Sequence, residues 1–555
     1  MLACSLNGQM SAYIFACLIR TSLRNRLWPF LAAIALLVIA VAFALAASMR
    51  QNAGHLVYAL DDPYIHMAMA KNVALHHVWG VSATHFTSSS SSLLWTAALA
   101  LLFAILGVHE LIPFVVNTLI AVLLLAVVLR QLSRGDRALP AGYQFVILAA
   151  VVFCTPLPGL VFVGQEHILH AAVNVMFVAT AASFVNTGRT GVRDPILRRL
   201  CALAFLLPLI RYEALFAVAI VSIILIVQPR WLQGAVLGIA GIAPVALYGA
   251  VSKSLGWYWL PNSVLLKGAR PDLSSLHRII QTLGYVSYSR LIELPALGFL
   301  LYAALAAFAL KLVRGDRDDL QWMLGMFIAL TLLHTQFAQP QAFWFFRYEA
   351  YLIVLGCVVV GRALGQWLLS CRRATWTSGR TAALDIAVLF LFAFSPLPDR
   401  AAKAFIYLPQ ATTNIYEQQY QMGLFLKQFY EGTPVALNDI GAASFLGNIE
   451  CIDLLGLANM DAARMRLRGL YESEDIQQIV QAGDVAVAVL YESRFGSAIP
   501  ATWRRAGTWT IRNNIVGGGD TVTFYATKPE AFESLRTHLV QFSRELPPTV
   551  VVRLQ

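Results

Sequence analysis

"SLLWTAALALLFAILGVHE", residues 92–110, is the stretch on which the fold turns. If it crosses a membrane, "RQLSRGDR" (130–137) falls outside and every later loop inverts. If it lies on the outer surface, the next apolar run (111–130) carries the chain inward and those arginines come to rest inside. The second choice also puts "NTGRTGVRDPILRR" (186–199), "QPR" (228–230), "KLVRGDR" (311–317) and "CRRATWTSGR" (371–380) inside. Basic loops on one side are what orientation by positive charge requires. The stretch is also shorter in apolar residues than the about 20 needed to cross a hydrocarbon core of about 30 Å. It reads as a partly immersed helix lying on the outer surface.

The rest of the composition agrees with a membrane setting. The chain of 555 residues is 58% hydrophobic and 13% charged, against about 25% charged in soluble proteins. Apolar runs recur from residue 28 to residue 397. Alternating segments of a β-barrel are absent. The fold class is a polytopic α-helical membrane protein with about eleven spans. These fall near 28–48, 111–130, 143–162, 168–186, 197–210, 214–229, 232–252, 293–312, 320–337, 349–369 and 380–397. Residues 1–397 form the membrane domain, including an external first loop of about 49–110. Residues 398–555 form an external α/β domain. The N-terminus is cytoplasmic, and Arg20, Arg24 and Arg26 ahead of the first run mark an uncleaved signal anchor. The net charge of +11 sits in short loops, so it speaks for orientation and against nucleic acid as a partner. Seven cysteines are scattered with no CxxC or metal spacing, so no disulfide framework is expected.

In the external domain, "NIYEQQYQMGLFLKQFY" (414–430) reads as an amphipathic helix with Tyr416, Tyr420, Phe425 and Phe429 on its apolar face. "TPVALND" and "VAVAVLYES" read as buried strands, and "GTWTIRNNIVGGGDTVTFYAT" as a hairpin. Asp439 and Asp453 then stand at strand ends, where loops carry ligands or where acids cap turns.

This topology brings the polar motifs to one face. Asp61–Asp62, "THFTSSSSS" (84–92), "VGQEH" (163–167), "LIRYEAL" (209–215), "WLPNSVLLKGARPD" (259–272) and "HTQFAQPQAFWFFRYE" (334–349) all come out external. In "DDPYIHMAMAKN", Pro63 suits a first helical turn and Asp62 its N-cap. Asp61 is left free, as a solvated acid, a general base, or with Asp62 a holder of a divalent cation (Mg, Mn or Ca). "RYE" occurs at 211–213 and 347–349. Residues two apart do not meet on a helix, so Arg211 and Arg347 are expected to find partners elsewhere. Unpaired charge at membrane depth costs roughly 2.5–3.5 kcal/mol, so Glu166, Arg211, Glu213, Arg347 and Glu349 should converge. Lys267 and Arg270 add external positive charge. Acids, guanidinium forks and a lipid-exposed setting together fit attack on an anionic lipid-linked donor.

The order "DDPYIHMAMAKN", "TSSSSSLLWT", "GQEHILH", "RYEAL", "LPNSVLLKG" and "NDIGAASFLGNIECIDLLGL" closely resembles the GT-C superfamily of polyprenyl-phosphate-sugar glycosyltransferases. More narrowly it resembles the bacterial arabinofuranosyltransferase- and mannosyltransferase-like branch. The resemblance runs from about residue 28 to residue 460. It implies an inverting transfer from a polyprenyl-phosphate sugar to an envelope glycan, lipid or protein, on the outer face of the bacterial inner membrane. It puts the base on Asp61, with Asp62 and Glu166 as further catalytic acids, and donor-phosphate binding on Arg211, Lys267 and Arg347. Within these motifs and the external stretch 334–349, His66, Ser90, Glu213, Asn262, Glu349, Asp439 and Asp453 are the candidate substrate-binding residues. "SSSSSLLW" stands where the family more often has "GYTSPLW", which leaves the sugar open. The competing readings are a transporter or flippase of lipid-linked sugars and an inactive sugar-binding subunit.

Overall fold

The computed structural model describes residues 3–134, 139–268, 274–275, 278, 281–337, 344–373, 395–469 and 471–555. Among them, eight helices are long and apolar enough to cross a membrane. In chain order the helices that matter begin with α1 (Leu27–Gln51), α2 (Asp62–His76), α3 (Leu93–Leu106), α4 (Leu111–Leu132) and α5 (Ala141–Val163). Next come α6 (His167–Asn186), α7 (Pro195–Ile210), α8 (Leu215–Val227), α9 (Trp231–Ser254) and the short α10 (Asn262–Lys267). The bundle ends with α11 (Pro295–Arg314), α12 (Asp319–Phe337) and α13 (Ala350–Ser370). Of these α1, α4, α5, α6, α9, α11, α12 and α13 are the candidate spans.

Helix α3, the deciding stretch, is 14 residues long. At 1.5 Å per residue it reaches about 21 Å, well short of a crossing. One side, with Trp95, Leu99 and Phe103, is buried, and the other leaves Leu101, Ile105 and Leu106 exposed. The side chain of Ser92 caps its start by accepting from the Trp95 N–H at 3.4 Å.

Two expected spans do not qualify as crossing helices by length. The stretches 197–210 and 214–229 form α7 and α8, of 16 and 13 residues. The interruption is at Arg211, whose backbone is extended (φ −154°, ψ 135°) before a 3₁₀ turn at Tyr212–Ala214. The eleventh stretch, 380–397, falls mostly outside the described residues, as does Arg270.

Helix α6 is the hub of the bundle, packing on α4, α7, α12 and α13. Ala171, Ala172, Ala181 and Ala182 are buried along it and let its neighbours approach.

Beyond the bundle, α14 (Gln421–Tyr430) follows a π-helical turn at Tyr416–Tyr420. Tyr416, Tyr420 and Phe425 are buried and Phe429 is half-buried, so the apolar face read from sequence is the packed one. A six-stranded sheet follows, built from β1 (Pro434–Leu437), β2 (Glu450–Asp453), β3 (Val487–Leu490), β4 (Arg504–Thr510), β5 (Thr521–Ala526) and β6 (Val551–Leu554). The order is β2-β1-β3-β5-β4-β6. β2, β1 and β3 are parallel, whereas β3–β5, β5–β4 and β4–β6 are antiparallel. β3 is apolar at every position because both faces are covered. Val487 and Val489 pack among Phe425, Trp509 and Phe524, and Ala488 and Leu490 among Ile476, Ile479 and Val480. The loop after β1 leads into α15 (Gly441–Gly447), which packs directly on α2. That contact joins the sheet to the bundle.

Candidate active site

Asp61 and Asp62 stand at the start of α2, and each is engaged differently from the sequence expectation. Asp61, not Asp62, occupies the N-cap position of α2 and makes no side-chain cap bond. Its carboxylate reaches across to α15. Oδ2 accepts from the Gly441 N–H and Oδ1 from the Ala442 N–H, both at 2.8 Å. Asp62 is already the first helical residue, and its carboxylate is held by two cations. The Lys267 ammonium at the end of α10 donates to its Oδ1 at 3.1 Å and Oδ2 at 3.2 Å. Arg347 Nη2 donates to Oδ2 at 2.5 Å.

The two acids therefore differ in proton affinity. Burial pushes the Asp61 carboxyl up, the nearby Asp439 carboxylate adds to this, and the two amides only partly offset it, leaving it at about 7. Burial would raise Asp62 too, but Lys267 and Arg347 outweigh it and hold that carboxyl well below the usual range. Two adjacent carboxylates are thus separated into one that exchanges a proton near neutrality and one that stays ionised.

The approach of Asp61 to α15 depends on Gly441. A Cβ there would lie 2.1 Å from the Asp61 carbonyl oxygen and 2.7 Å from its Oδ2. Gly441→Ala is expected to break the two amide bonds and destabilise the protein by about 1–3 kcal/mol. Thermal unfolding of the full chain checks this, and an unchanged melting temperature would contradict it. At the other end of α15, Lys71 Nζ donates to the Phe445 carbonyl, and to Asn448 Oδ1 at 2.6 Å. Helix α2 thus grips α15 with an acid at its amide end and a base at its carbonyl end, both complementing the helix dipole.

Arg347 is 2% exposed. Besides Asp62 it donates to Gln165 Oε1 at 2.5 Å and to the Tyr348 hydroxyl at 3.1 Å. Its Nε is buried without a partner. The rings of Trp344 and Tyr348 flank the guanidinium at 5.2 and 4.9 Å. Next to Gln165, Glu166 begins a second cluster. Arg211 Nη1 donates to Glu166 Oε1 at 2.7 Å, while Nη2 and Nε take Glu213 as a fork at 2.6 and 3.2 Å. The expectation that Arg211 and Glu213 could not meet assumed a helix. The extended backbone at Arg211 removes that constraint. Glu166 Oε2 is buried with no hydrogen bond, and His66 Nε2 lies 3.9 Å away.

His66 faces Ser90 and Thr96. Its Nδ1 is 2.8 Å from Thr96 Oγ1 and 3.4 Å from Ser90 Oγ. Burial lowers its proton affinity, more than Glu166 raises it. Asn262 joins α10 to the C-terminal region by donating to the Gly456 carbonyl at 2.8 Å. Asp439, near enough to Asp61 to raise its proton affinity, accepts from Tyr491 at 2.7 Å and Gln419 at 3.0 Å. Asp453 does not join the cluster through any hydrogen bond. Both its oxygens accept from its own loop, Leu455 N–H and Ala458 N–H, at 2.7 Å. Glu349 pairs with Arg400, which also donates to the carbonyls of Cys154 and Phe346.

Asp61 and Asp62 do not fit the divalent cation that sequence allowed them. Both oxygens of Asp62 face cations, which would repel a metal, and both oxygens of Asp61 accept amide hydrogens. Among the described residues no group of three His, Cys, Asp or Glu side chains is placed to hold a metal ion.

With this geometry in place, residues 413–525 match the family model of a domain of unknown function, DUF8728. That match covers β1 to β4 and nearly all of β5, and names no activity. No curated protein matches the sequence significantly. In structure the chain is similar to ArnT from Cupriavidus metallidurans bound to undecaprenyl phosphate, at 12% identity and a TM-score of 0.49, over 89% of this chain and 98% of that one. It is also similar to the archaeal oligosaccharyltransferase AglB from Archaeoglobus fulgidus in complex with an inhibitory peptide and a dolichol-phosphate. There the identity is 12% and the TM-score 0.44, over 94% of this chain and 75% of that one.

Sequence reasoning missed Gln165, Tyr348, Arg400, Gln419 and Tyr491. Gln165 lay inside a quoted motif, and the unpaired Glu349 required a cation that Arg400 supplies. Nothing in the sequence marked Gln419 or Tyr491.

Proposed function

We propose that this chain is an inverting glycosyltransferase. It moves a sugar from a polyprenyl-phosphate donor to an acceptor hydroxyl on an envelope glycan, lipid or protein, at the outer face of the bacterial inner membrane. The N-terminus is then cytoplasmic and the C-terminal region extracytoplasmic. The observation that carries the reading is the arrangement of Lys267 and Arg347 on one carboxylate, Asp62, with Asp61 beside it. Two cations converging at the start of α2 are a ready cradle for a lipid phosphate. A neighbouring carboxyl with a proton affinity near neutrality suits a general base.

In the reaction the acceptor O–H gives its proton to an Asp61 oxygen. The acceptor oxygen bonds to the anomeric carbon from the face opposite the phosphate. The carbon–oxygen bond to the phosphate breaks, and its electron pair stays on the lipid phosphate. Lys267 and Arg347, released from Asp62, offset the charge that develops there. Displacement in one step inverts the anomeric centre. Arg211, Glu166 and Glu213 hold His66 and the start of α6 in place, with Glu166 Oε2 left to accept a substrate hydroxyl.

The test uses the full chain in nanodiscs with a radiolabelled polyprenyl-phosphate sugar and membrane acceptor. Lys267→Met is expected to raise the donor KM by at least about tenfold, the loss of one charge-assisted contact. An unchanged KM would remove Lys267 from the phosphate site. Movement of labelled lipid across the bilayer with no new glycosidic bond would replace the reading by a flippase.

The pH profile is a separate check. A base is active only when deprotonated, so with Asp61 near 7 the transfer rate should rise as pH increases from 6 to 8 and then level off. A rate independent of pH across that window would exclude Asp61 as the base.

A further inference from the structure

The far end of α2 opens on a groove of about 410 Å³ lined by Lys71, Lys427, His109, Glu110, Phe445 and Asn448. Glu110 directly precedes Leu111, where the α4 span begins. The groove therefore lies at the depth where hydrocarbon gives way to lipid headgroups. Leu101, Ile105, Leu106 and Leu111, which flank the lining residues His109 and Glu110 in the chain, are 62, 68, 58 and 54% exposed and form an apolar stretch on α3 and the start of α4.

Its charges are unbalanced. Lys427 is exposed and makes no hydrogen bond or ion pair among the described residues. Lys71 is 8% exposed and spends its contacts on neutral oxygens, the Phe445 carbonyl and Asn448 Oδ1. The acid facing them is Glu110, which accepts from Tyr420 at 3.5 Å, while Glu431 is turned to the Asn448 amide at 2.7 Å. His109 is exposed at the rim. Burial pushes Glu110 up to about 7, so it is partly neutral in a neutral medium. Burial, and then Lys427, push Lys71 down to about 8, which still leaves it mostly charged.

We propose that this groove binds the phosphate of a membrane glycerophospholipid between Lys71 and Lys427, with its acyl chains along the exposed leucines of α3 and the start of α4. Basic side chains at this depth are drawn to lipid phosphate. The bound lipid would draw on Lys71, the residue that grips the carbonyl end of α15, so it would stiffen the joint between the bundle and the sheet. This inference rests on the membrane depth of α4 and holds whether or not Asp61 is a base.

The experiment measures binding to the delipidated full chain in detergent by native mass spectrometry. The probes are dioctanoyl phosphatidylglycerol, dioctanoylglycerol without phosphate, and inorganic phosphate. Phosphatidylglycerol is expected to bind at least about tenfold more tightly than either of the others, and Lys427→Glu to weaken it by about tenfold or more. Lys427 is exposed, so that variant is expected to fold, and Lys71→Met is a second variant that should weaken the same probe. Equal affinity of wild type and Lys427→Glu would overturn the proposal, as would equal affinity for dioctanoylglycerol. Inorganic phosphate binding as tightly as the lipid would overturn the lipid assignment.

Discussion

Asp61→Asn should lower the sugar-transfer rate by about 10²–10⁴-fold, the range that a positioned general base supplies. Donor binding should hardly change, because Lys267 and Arg347 address Asp62 and not Asp61. Asparagine also presents an NH₂ group to one of the amides of Gly441 and Ala442, both of which are donors. Some loss of stability is therefore expected alongside the loss of rate, and Asp61→Ala separates the two because it removes the clash. Single-turnover kinetics with saturating donor reads the chemical step directly. A variant that retains its transfer rate with normal folding would move the base elsewhere, with Glu166 Oε2 the next free carboxylate oxygen.

Arg211→Met should have the largest effect on stability. The substitution leaves Glu166, which is fully buried, and Glu213 without their shared cation. Breaking a buried pair by removing one partner costs about 3–5 kcal/mol, a large share of what holds a domain folded. The double variant Arg211→Met/Glu166→Gln should recover part of that loss, because a neutral amide in the same place has far less to lose by burial. Thermal unfolding in nanodiscs, followed by tryptophan fluorescence, compares the two. If the double variant unfolds at or below the temperature of the single one, the buried charge of Glu166 is not what the arginine compensates.

The large features of this protein were legible because they follow from length and charge alone. The short apolar run of α3 and the arginines of the loops between spans pointed to the same helix that does not cross. The apolar strings of β1 and β3 and the glycine-rich turn between β4 and β5 marked the sheet. The break between 210 and 214 was legible as a gap between two apolar runs, but not that both runs are too short to cross, nor that the extended backbone at Arg211 lets it fork onto Glu213. The site was legible as an inventory and not as a pairing. Composition could bring Asp61, Asp62, Lys267 and Arg347 to one face. It could not say that Asp62 would take both cations, or that Asp61 would cross to two backbone amides 380 residues away. Backbone donors carry no signature in residue identity, apart from the glycine that makes room for them.

That crossing bears on how the protein can be divided. The acid at the head of α2 takes its surroundings from Gly441, Ala442 and Asp439, which belong to the other region. A hybrid that joined this bundle to the sheet region of a relative would keep Asp61 and change what sets its proton affinity. Its activity would depend on whether the donor of the graft carried a glycine at the position of Gly441. The contacts tie the two regions together, and substitutions at Asp61, Lys71, Gly441 and Asn448 are expected to travel together through any lineage that preserves them.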